Sequence, residues 1–270
     1  MENHYEGKLL SESTPFAISE AFKALRTNLF YSAKGEKCPV FGITSTFAHS
    51  GKSLIISNLA VSYSLLEKKV LIIDCDLRNS TVHKIFNIER AGGMSELLAG
   101  ADTNLDKYIK KSSYPNLSII TSGGTPPNPA ELLASAKMVK FLDFMKQHYD
   151  IIFIDLPPIA AVSDALVISE HVTGYLFAVR AGVDDTKALS YALSAMEQTG
   201  ASIVGFVMND IDSKTSGYYG NRYGRYGYYS RYGRYGRYGR YGKYGYGYGY
   251  GKRYGKKYGY GYGYGGYDKK

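Results

Sequence analysis

The chain has 270 residues, 44% of them hydrophobic and 21% charged, and a formal net charge of +9. That composition suits a soluble globular protein, and two cysteines, Cys38 and Cys75, exclude a disulfide framework. No run reaches the roughly 18 apolar residues that a bilayer span requires, and MENHYEGKLL at the start lacks an apolar signal core, so the cytoplasm is the expected compartment. The five histidines, His4, His49, His83, His148 and His171, fall at no metal-ligand spacing.

In chain order, SEAFKALR opens the first helical stretch and places Glu20, Lys23 and Arg26 on one face. Short apolar runs rich in β-branched residues then predict strands at VFGITS (40–45), KVLIID (69–74), NLSII (116–120), DIIFID (150–155), GYLFAV (174–179) and SIVGFVM (202–208). Between them, helical periodicity predicts helices over Lys52–Glu67, Ala130–His148 and Asp184–Thr199. Alternation of this kind predicts an α/β fold with a mostly parallel sheet. Strands that are apolar nearly throughout are buried on both faces, so helices are expected on both sides.

The first strand runs into STFAHSGKS and then a helix, the order in which a P-loop binds phosphate. Backbone N–H groups in such a loop converge on phosphate oxygens, so Ser50, Gly51, Lys52, Ser53 and Leu54 form the expected nucleotide-binding run. Lys52 is expected at the β- and γ-phosphates and the Ser53 hydroxyl at Mg²⁺. The second strand ends in IIDCD, with Asp74 and Asp76 on the same side of an extended segment, and the fourth ends in IIFIDLPP with Asp155 at its edge. Open α/β sheets bind ligands at those edges. Carboxylates there beside a P-loop suit phosphoryl transfer: one holds the metal or its waters, another orients or deprotonates the nucleophile.

These residues resemble the bacterial tyrosine kinases, P-loop proteins that pair with membrane polysaccharide co-polymerases in capsule and exopolysaccharide synthesis. The likeness rests on ITSTFAHSGKSLIISNLA as Walker A, VLIIDCDLRNSTVHKIF as the second Walker motif and YDIIFIDLPPIAAVSDA as Walker B, with GGTPPNPAELLAS (123–135) and a terminal tyrosine cluster. The resemblance implies a P-loop NTPase-like fold, ATP and Mg²⁺ as cofactors, Asp76 and Asp155 (with Ser53) at the metal, and Asp74 as base for a tyrosine hydroxyl. It divides the chain into an N-terminal helical segment (1–35) for oligomerisation, a P-loop kinase domain (36–212) and a disordered tyrosine tail (213–270). It further implies a homo-oligomer, possibly the ring of this family, through Glu20, Lys23 and Arg26. A membrane co-polymerase or activator would recruit the chain to the inner face of the membrane, and a cognate tyrosine phosphatase would act on it.

The chain also departs from the family. Ala48-His49 stand where Pro-Gly is usual, Leu54 where a threonine would offer a hydroxyl, and Lys23 where the oligomerisation motif has arginine. His49 is expected to carry an unfavourable backbone conformation there. One rival within the fold is the ParA/MinD-like partition and cell-division ATPase group, whose loop has an extra lysine at the position of Phe47. Another is a nucleic-acid binder, since arginine interleaved with tyrosine supplies phosphate contacts and stacking surfaces. With the kinase resemblance in hand, no nucleic acid is expected as a partner.

The tail gives the resemblance its substrate. From Gly217 to Lys270 stand 20 of the 28 tyrosines and 18 of the 31 glycines, and no Leu, Ile, Val, Phe or Met. Without aliphatic side chains such a segment cannot offset the entropy of ordering, and disorder is expected. The tyrosines expected as phospho-acceptors are Tyr218, Tyr219, Tyr223, Tyr226, Tyr228, Tyr229, Tyr232, Tyr235, Tyr238, Tyr241, Tyr244, Tyr246, Tyr248, Tyr250, Tyr254, Tyr258, Tyr260, Tyr262, Tyr264 and Tyr267. Thirteen Lys and Arg against Asp268 give this stretch +12 and leave −3 on the remainder of the +9 chain. Each phosphotyrosine adds about −1.5 to −2 charges, so roughly seven cancel the tail's charge.

Overall fold

The computed structural model describes residues 5, 7–100 and 104–211. The tail, its phospho-acceptor tyrosines and the boundary drawn at 212 lie outside the described residues. All six strands expected from the sequence are present: β1 (Val40–Ser45), β2 (Val70–Asp74), β4 (Leu117–Ile120), β5 (Ile151–Asp155), β6 (Gly174–Arg180) and β7 (Ile203–Asn209). A seventh, β3 (Lys110–Lys111), was not expected. It joins the edge antiparallel to β4, and its two lysines carry no apolar signal.

The sheet runs β3-β4-β2-β5-β1-β6-β7, and every pairing except β3–β4 is parallel. Successive side chains of β2 enter different cores. Leu71 and Ile73 join one apolar cluster with Ile152, Ile154, Phe141 and Met196; Val70 and Ile72 join another with Phe41, Phe153, Ile56 and Leu59. Both faces are therefore covered by helices, as the unbroken apolar strands required.

Helix α1 (Phe16–Ser32) packs against α2 (Lys52–Ser64), whose residues from Ile55 to Ser64 are all buried. Ahead of α1 the backbone N–H of buried Leu10 donates to Asn58 Oδ1 at 2.7 Å, tying the N-terminal segment to the same helix. Short helices α3 (Val82–Ile85) and α4 (Met94–Ala99) follow β2. The single helix expected over 130–148 is two, α5 (Pro129–Leu133) and α6 (Ala136–Met145), because Ser135 leaves the helical region (ψ 148°) and accepts the N–H of Met138 at 3.3 Å as an N-cap. Helix α7 (Thr186–Gln198) is capped likewise by Asp185, and α2 stops at Ser64, short of Glu67, which lies at φ 59°.

Candidate active site

The site forms where the strand order places the C-terminal ends of β1, β5 and β2 side by side. Chain leaving β1 makes the loop 46–51 and enters α2 at Lys52. Ser45 Oγ and Ser50 Oγ both donate to the Phe47 carbonyl, at 2.6 and 3.0 Å, and fold the loop back on itself. His49 sits at φ 63° and Gly51 at φ 86°. A left-handed backbone is free for glycine and costs a side-chain-bearing residue about 1–2 kcal/mol, so the strain expected at His49 is present.

Gly51 is needed for a second reason. A Cβ there would lie 2.1 Å from Nδ2 of Asn209, whose amide donates to the Ser50 carbonyl at 3.2 Å. Asn209 closes β7, and so the last strand presses against the phosphate loop. Sequence reasoning did not single it out, although an asparagine ending an apolar strand was the available signal.

Lys52 is buried at the start of α2, and Ser53 Oγ donates to Asp155 Oδ2. Asp155 is fully buried, and its Oδ1 has no hydrogen-bond partner among the described residues. Burial pushes its carboxyl up to about 7, against the pull of the Lys52 ammonium and the Ser53 hydroxyl. Asp74 pairs in register with Asp155 on the neighbouring strand. It is fully buried, and burial foremost, then the Asp155 charge, holds its carboxyl well above the usual range. Its Oδ1 accepts the N–H of Asp76 at 3.2 Å and its Oδ2 accepts Ser80 Oγ at 2.5 Å. Asp76 Oδ1 accepts the N–H of Asn79 at 2.9 Å.

The turn carrying Asp76 and Ser80 is fastened from behind. Arg78 grips buried Asp164 with two hydrogen bonds, Nε to Oδ2 at 2.8 Å and Nη2 to Oδ1 at 3.1 Å. Glu96 fastens a second turn, accepting the N–H groups of Gly93 and Gly124 at 2.9 and 2.8 Å. Neither was marked from sequence: Arg78 and Asp164, like Glu96 and Gly124, are too far apart in the chain to leave a local pattern.

The structure thus brings Ser50, Gly51, Lys52, Ser53, Asp74, Asp76 and Asp155 to one sheet edge. Leu54 lies in the first turn of α2 with no side-chain hydroxyl to offer. Among the described residues no three acidic, histidine or cysteine side chains close a metal cage. Mg²⁺ in such sites takes one or two carboxylates and completes its shell with water and phosphate oxygens, so a buried Asp155 with one unpartnered oxygen beside Ser53 and Lys52 fits a magnesium nucleotide. Glu20, Lys23 and Arg26 stand elsewhere, on α1. Glu20 and Lys23 form an exposed ion pair at 2.7 Å, while Arg26 Nη1 donates to the Ser62 carbonyl of α2 at 2.5 Å.

Comparison with known proteins follows this geometry. The AAA domain family matches residues 47–175. The putative tyrosine-protein kinase CapB of Staphylococcus aureus is 37% identical over 204 residues, which cover 75% of this chain and 89% of that protein. The tyrosine-protein kinase etk of Escherichia coli K12 is 37% identical over 200 residues, 74% of this chain but only 27% of its own length. The chain therefore spans about a quarter of the longer relatives. The solved kinase domain of Escherichia coli ETK superposes with a TM-score of 0.69 at 35% identity, covering 75% of this chain and 82% of that one. The septum site-determining protein MinD of Pyrococcus horikoshii, solved with Mg-ADP, reaches 0.54 at 20% identity and shares the fold alone. With CapB matched over nearly its whole length and the Walker residues gathered at one sheet edge, this chain belongs to the bacterial tyrosine-protein kinases.

Proposed function

We propose that the chain transfers the γ-phosphoryl group of ATP to tyrosine hydroxyls, its own C-terminal tyrosines first among them. The observation that carries this reading is the pairing of Asp74 with Asp155 at the strand ends beside Lys52 and Ser53. Phosphoryl transfer to a hydroxyl needs, beside the site for the metal and the phosphates, a group that orients the nucleophile and takes its proton. A second buried carboxylate, held by Ser80 and raised in basicity, suits a proton acceptor for an incoming hydroxyl.

Magnesium-ATP, when bound, supplies the transferable phosphoryl group and the positive charge that neutralises it. The chain's own residues position and hold. Loop N–H groups and the Lys52 ammonium hold phosphate oxygens, Ser53 and Asp155 hold the metal, and Asp76 supports its shell. Asp74 accepts the tyrosine proton at its carboxylate, whose raised basicity suits that task. Raised basicity comes from burial, so water exclusion and proton acceptance have one structural cause.

The last described strand ends beside this site. Asn209 touches the phosphate loop, and Tyr218 follows nine residues later, a span of about 30 Å when extended. Glycine at every second or third position over much of the tail would leave the tyrosine hydroxyls free of competing secondary structure. In the cell the reading places the chain in capsule or exopolysaccharide assembly, activated at the inner face of the membrane by a co-polymerase partner, oligomeric through the α1 face and reset by a tyrosine phosphatase. Among the described residues no helix is long and apolar enough to cross a membrane. The MinD-like alternative loses ground because Phe47 occupies the position of that group's extra lysine. Labelling purified chain with ATP and magnesium, with and without the tail, tests the proposal. Phosphotyrosine in the tail supports it, and hydrolysis without tyrosine labelling in the presence of a membrane activator segment refutes it.

A further inference from the structure

His83 plays no part in the reading so far, yet it stands in line with Ser80 behind Asp74. Ser80 Oγ is 2.5 Å from Asp74 Oδ2 and 3.0 Å from His83 Nδ1. Both Asp74 and Ser80 are buried. Their placement is fixed by packing on either side: Asp76 caps the turn at Asn79, and Val82 and Ile85 of α3 are buried on the helix that carries the histidine.

The chemistry of this chain of three is constrained by proton count. A serine hydroxyl has one proton and can point it at one neighbour only. Directed at the Asp74 carboxylate, it leaves lone pairs facing His83, and the second contact is then a hydrogen bond only if Nδ1 carries the ring proton. With the ring proton on Nε2 instead, the Ser80 proton is drawn to Nδ1, and bare oxygen lone pairs meet at 2.5 Å beside the carboxylate. The tautomer of His83 and the direction of the Ser80 hydroxyl are one choice.

The surroundings favour a neutral ring. Burial first, then the cations of Arg90, Lys84 and Lys110, push the His83 ring below the usual histidine range. Near neutral pH it therefore carries a single N–H, and the tautomer question is real.

We propose that His83 is a positioning residue for phosphoryl transfer: its Nδ1–H donates to Ser80 Oγ, which directs the Ser80 hydroxyl onto Asp74 Oδ2 and fixes that carboxylate in one orientation. The proposal rests on the reading of Asp74 as proton acceptor. It adds a residue that touches neither nucleotide nor tyrosine and acts only through Ser80.

The test has two arms on the full chain. In the first, nitrogen NMR of chain labelled with ¹⁵N-histidine reads the tautomer of each ring, and the His83 signal is assigned by its loss in His83→Asn. The Nδ1–H tautomer is expected in the parent, with a changed signal in Ser80→Ala; an Nε2–H ring in the parent overturns the proposal. In the second, tyrosine labelling is followed at saturating magnesium-ATP beside a membrane activator segment. His83→Phe is expected to lower kcat roughly tenfold with the KM for ATP unchanged, less than loss of the base itself because the ring acts only through Ser80. His83→Asn, which restores an N–H near the Nδ1 position, should recover most of it, and His83→Phe should cost nothing more in a Ser80→Ala background. Full kcat in His83→Phe, no recovery in His83→Asn, or an equal further loss in the Ser80→Ala background overturns the proposal. Failure of the underlying reading looks different: Asp74→Asn would then label tyrosine as fast as the parent while the NMR result stands.

Discussion

Asp74 and Asp155 are the last paired residues of two adjacent parallel strands, and both are fully buried. Burial raises both carboxyls, and the Asp155 charge adds to the rise at Asp74. Acids held in ion pairs do the reverse, so these paired carboxyls carry a cost of burial that a magnesium ion would relieve.

That cost has a sign in pH. Between the unfolded value of 3.8 and the folded value of about 7 for Asp155, the folded chain binds more protons than the unfolded chain. Stability contributed by these carboxyls is therefore greatest at low pH and falls as pH rises through that window. His83, lowered from 6.5, works in the opposite direction just below 6.5. Comparison with Asp155→Asn isolates the effect: between pH 5 and 7 the parent's melting temperature should fall relative to the variant's as pH rises, by thermal unfolding without nucleotide. A constant difference across that range would contradict it.

The strain in the phosphate loop makes a second expectation. His49→Gly removes the cost of a left-handed side-chain-bearing residue at φ 63° and should stabilise the chain by about 1 kcal/mol, raising its melting point by about 2–4 °C. Gly51→Ala combines φ 86° with a Cβ 2.1 Å from the Asn209 amide. It should displace β7 from the loop and weaken nucleotide binding at least tenfold, an effect of about 1.4 kcal/mol. Titration of a fluorescent ATP analogue checks both variants.

The fold was legible where burial is two-sided. Six strands could be found because Val, Ile, Leu and Phe dominate them with few polar residues between, and the GKS run with its following helix located the loop. The lysine pair of β3 has no such signal, and the break between α5 and α6 depends on one serine backbone angle inside an otherwise helical run. At the site, Lys52, Ser53, Asp74, Asp76 and Asp155 were legible because each ends a strand or starts a helix. Asn209, Ser80 and His83 were not. Their roles come from contacts with residues distant in the chain or from a turn whose shape the sequence does not display.

Arg26 offers a separate check on the N-terminal helix. Its guanidinium donates to the Ser62 carbonyl at the end of α2, and Tyr63 OH donates back to the Arg26 carbonyl at 3.0 Å. Arg26→Ala should therefore cost about 1–2 kcal/mol of stability in dilute solution, where subunits are apart. An unchanged melting point with altered oligomer size would assign Arg26 to contacts between subunits alone.

Asp74→Asn separates chemistry from binding. Magnesium-ATP affinity should stay within about threefold of the parent while tyrosine transfer falls by a factor on the order of 100 or more, the usual contribution of a positioned base. Loss of both together would place Asp74 in nucleotide binding rather than proton transfer.

Most direct is the labelling experiment itself. Purified chain is incubated with ATP labelled at the γ-phosphorus and magnesium, beside a membrane activator segment, and phosphotyrosines are mapped in the parent and in Lys52→Met, with the fold of each verified by circular dichroism. Label on tyrosines between Tyr218 and Tyr267 in the parent, and none in a folded Lys52→Met chain, is the predicted result. Undiminished tyrosine labelling in folded Lys52→Met would contradict the account.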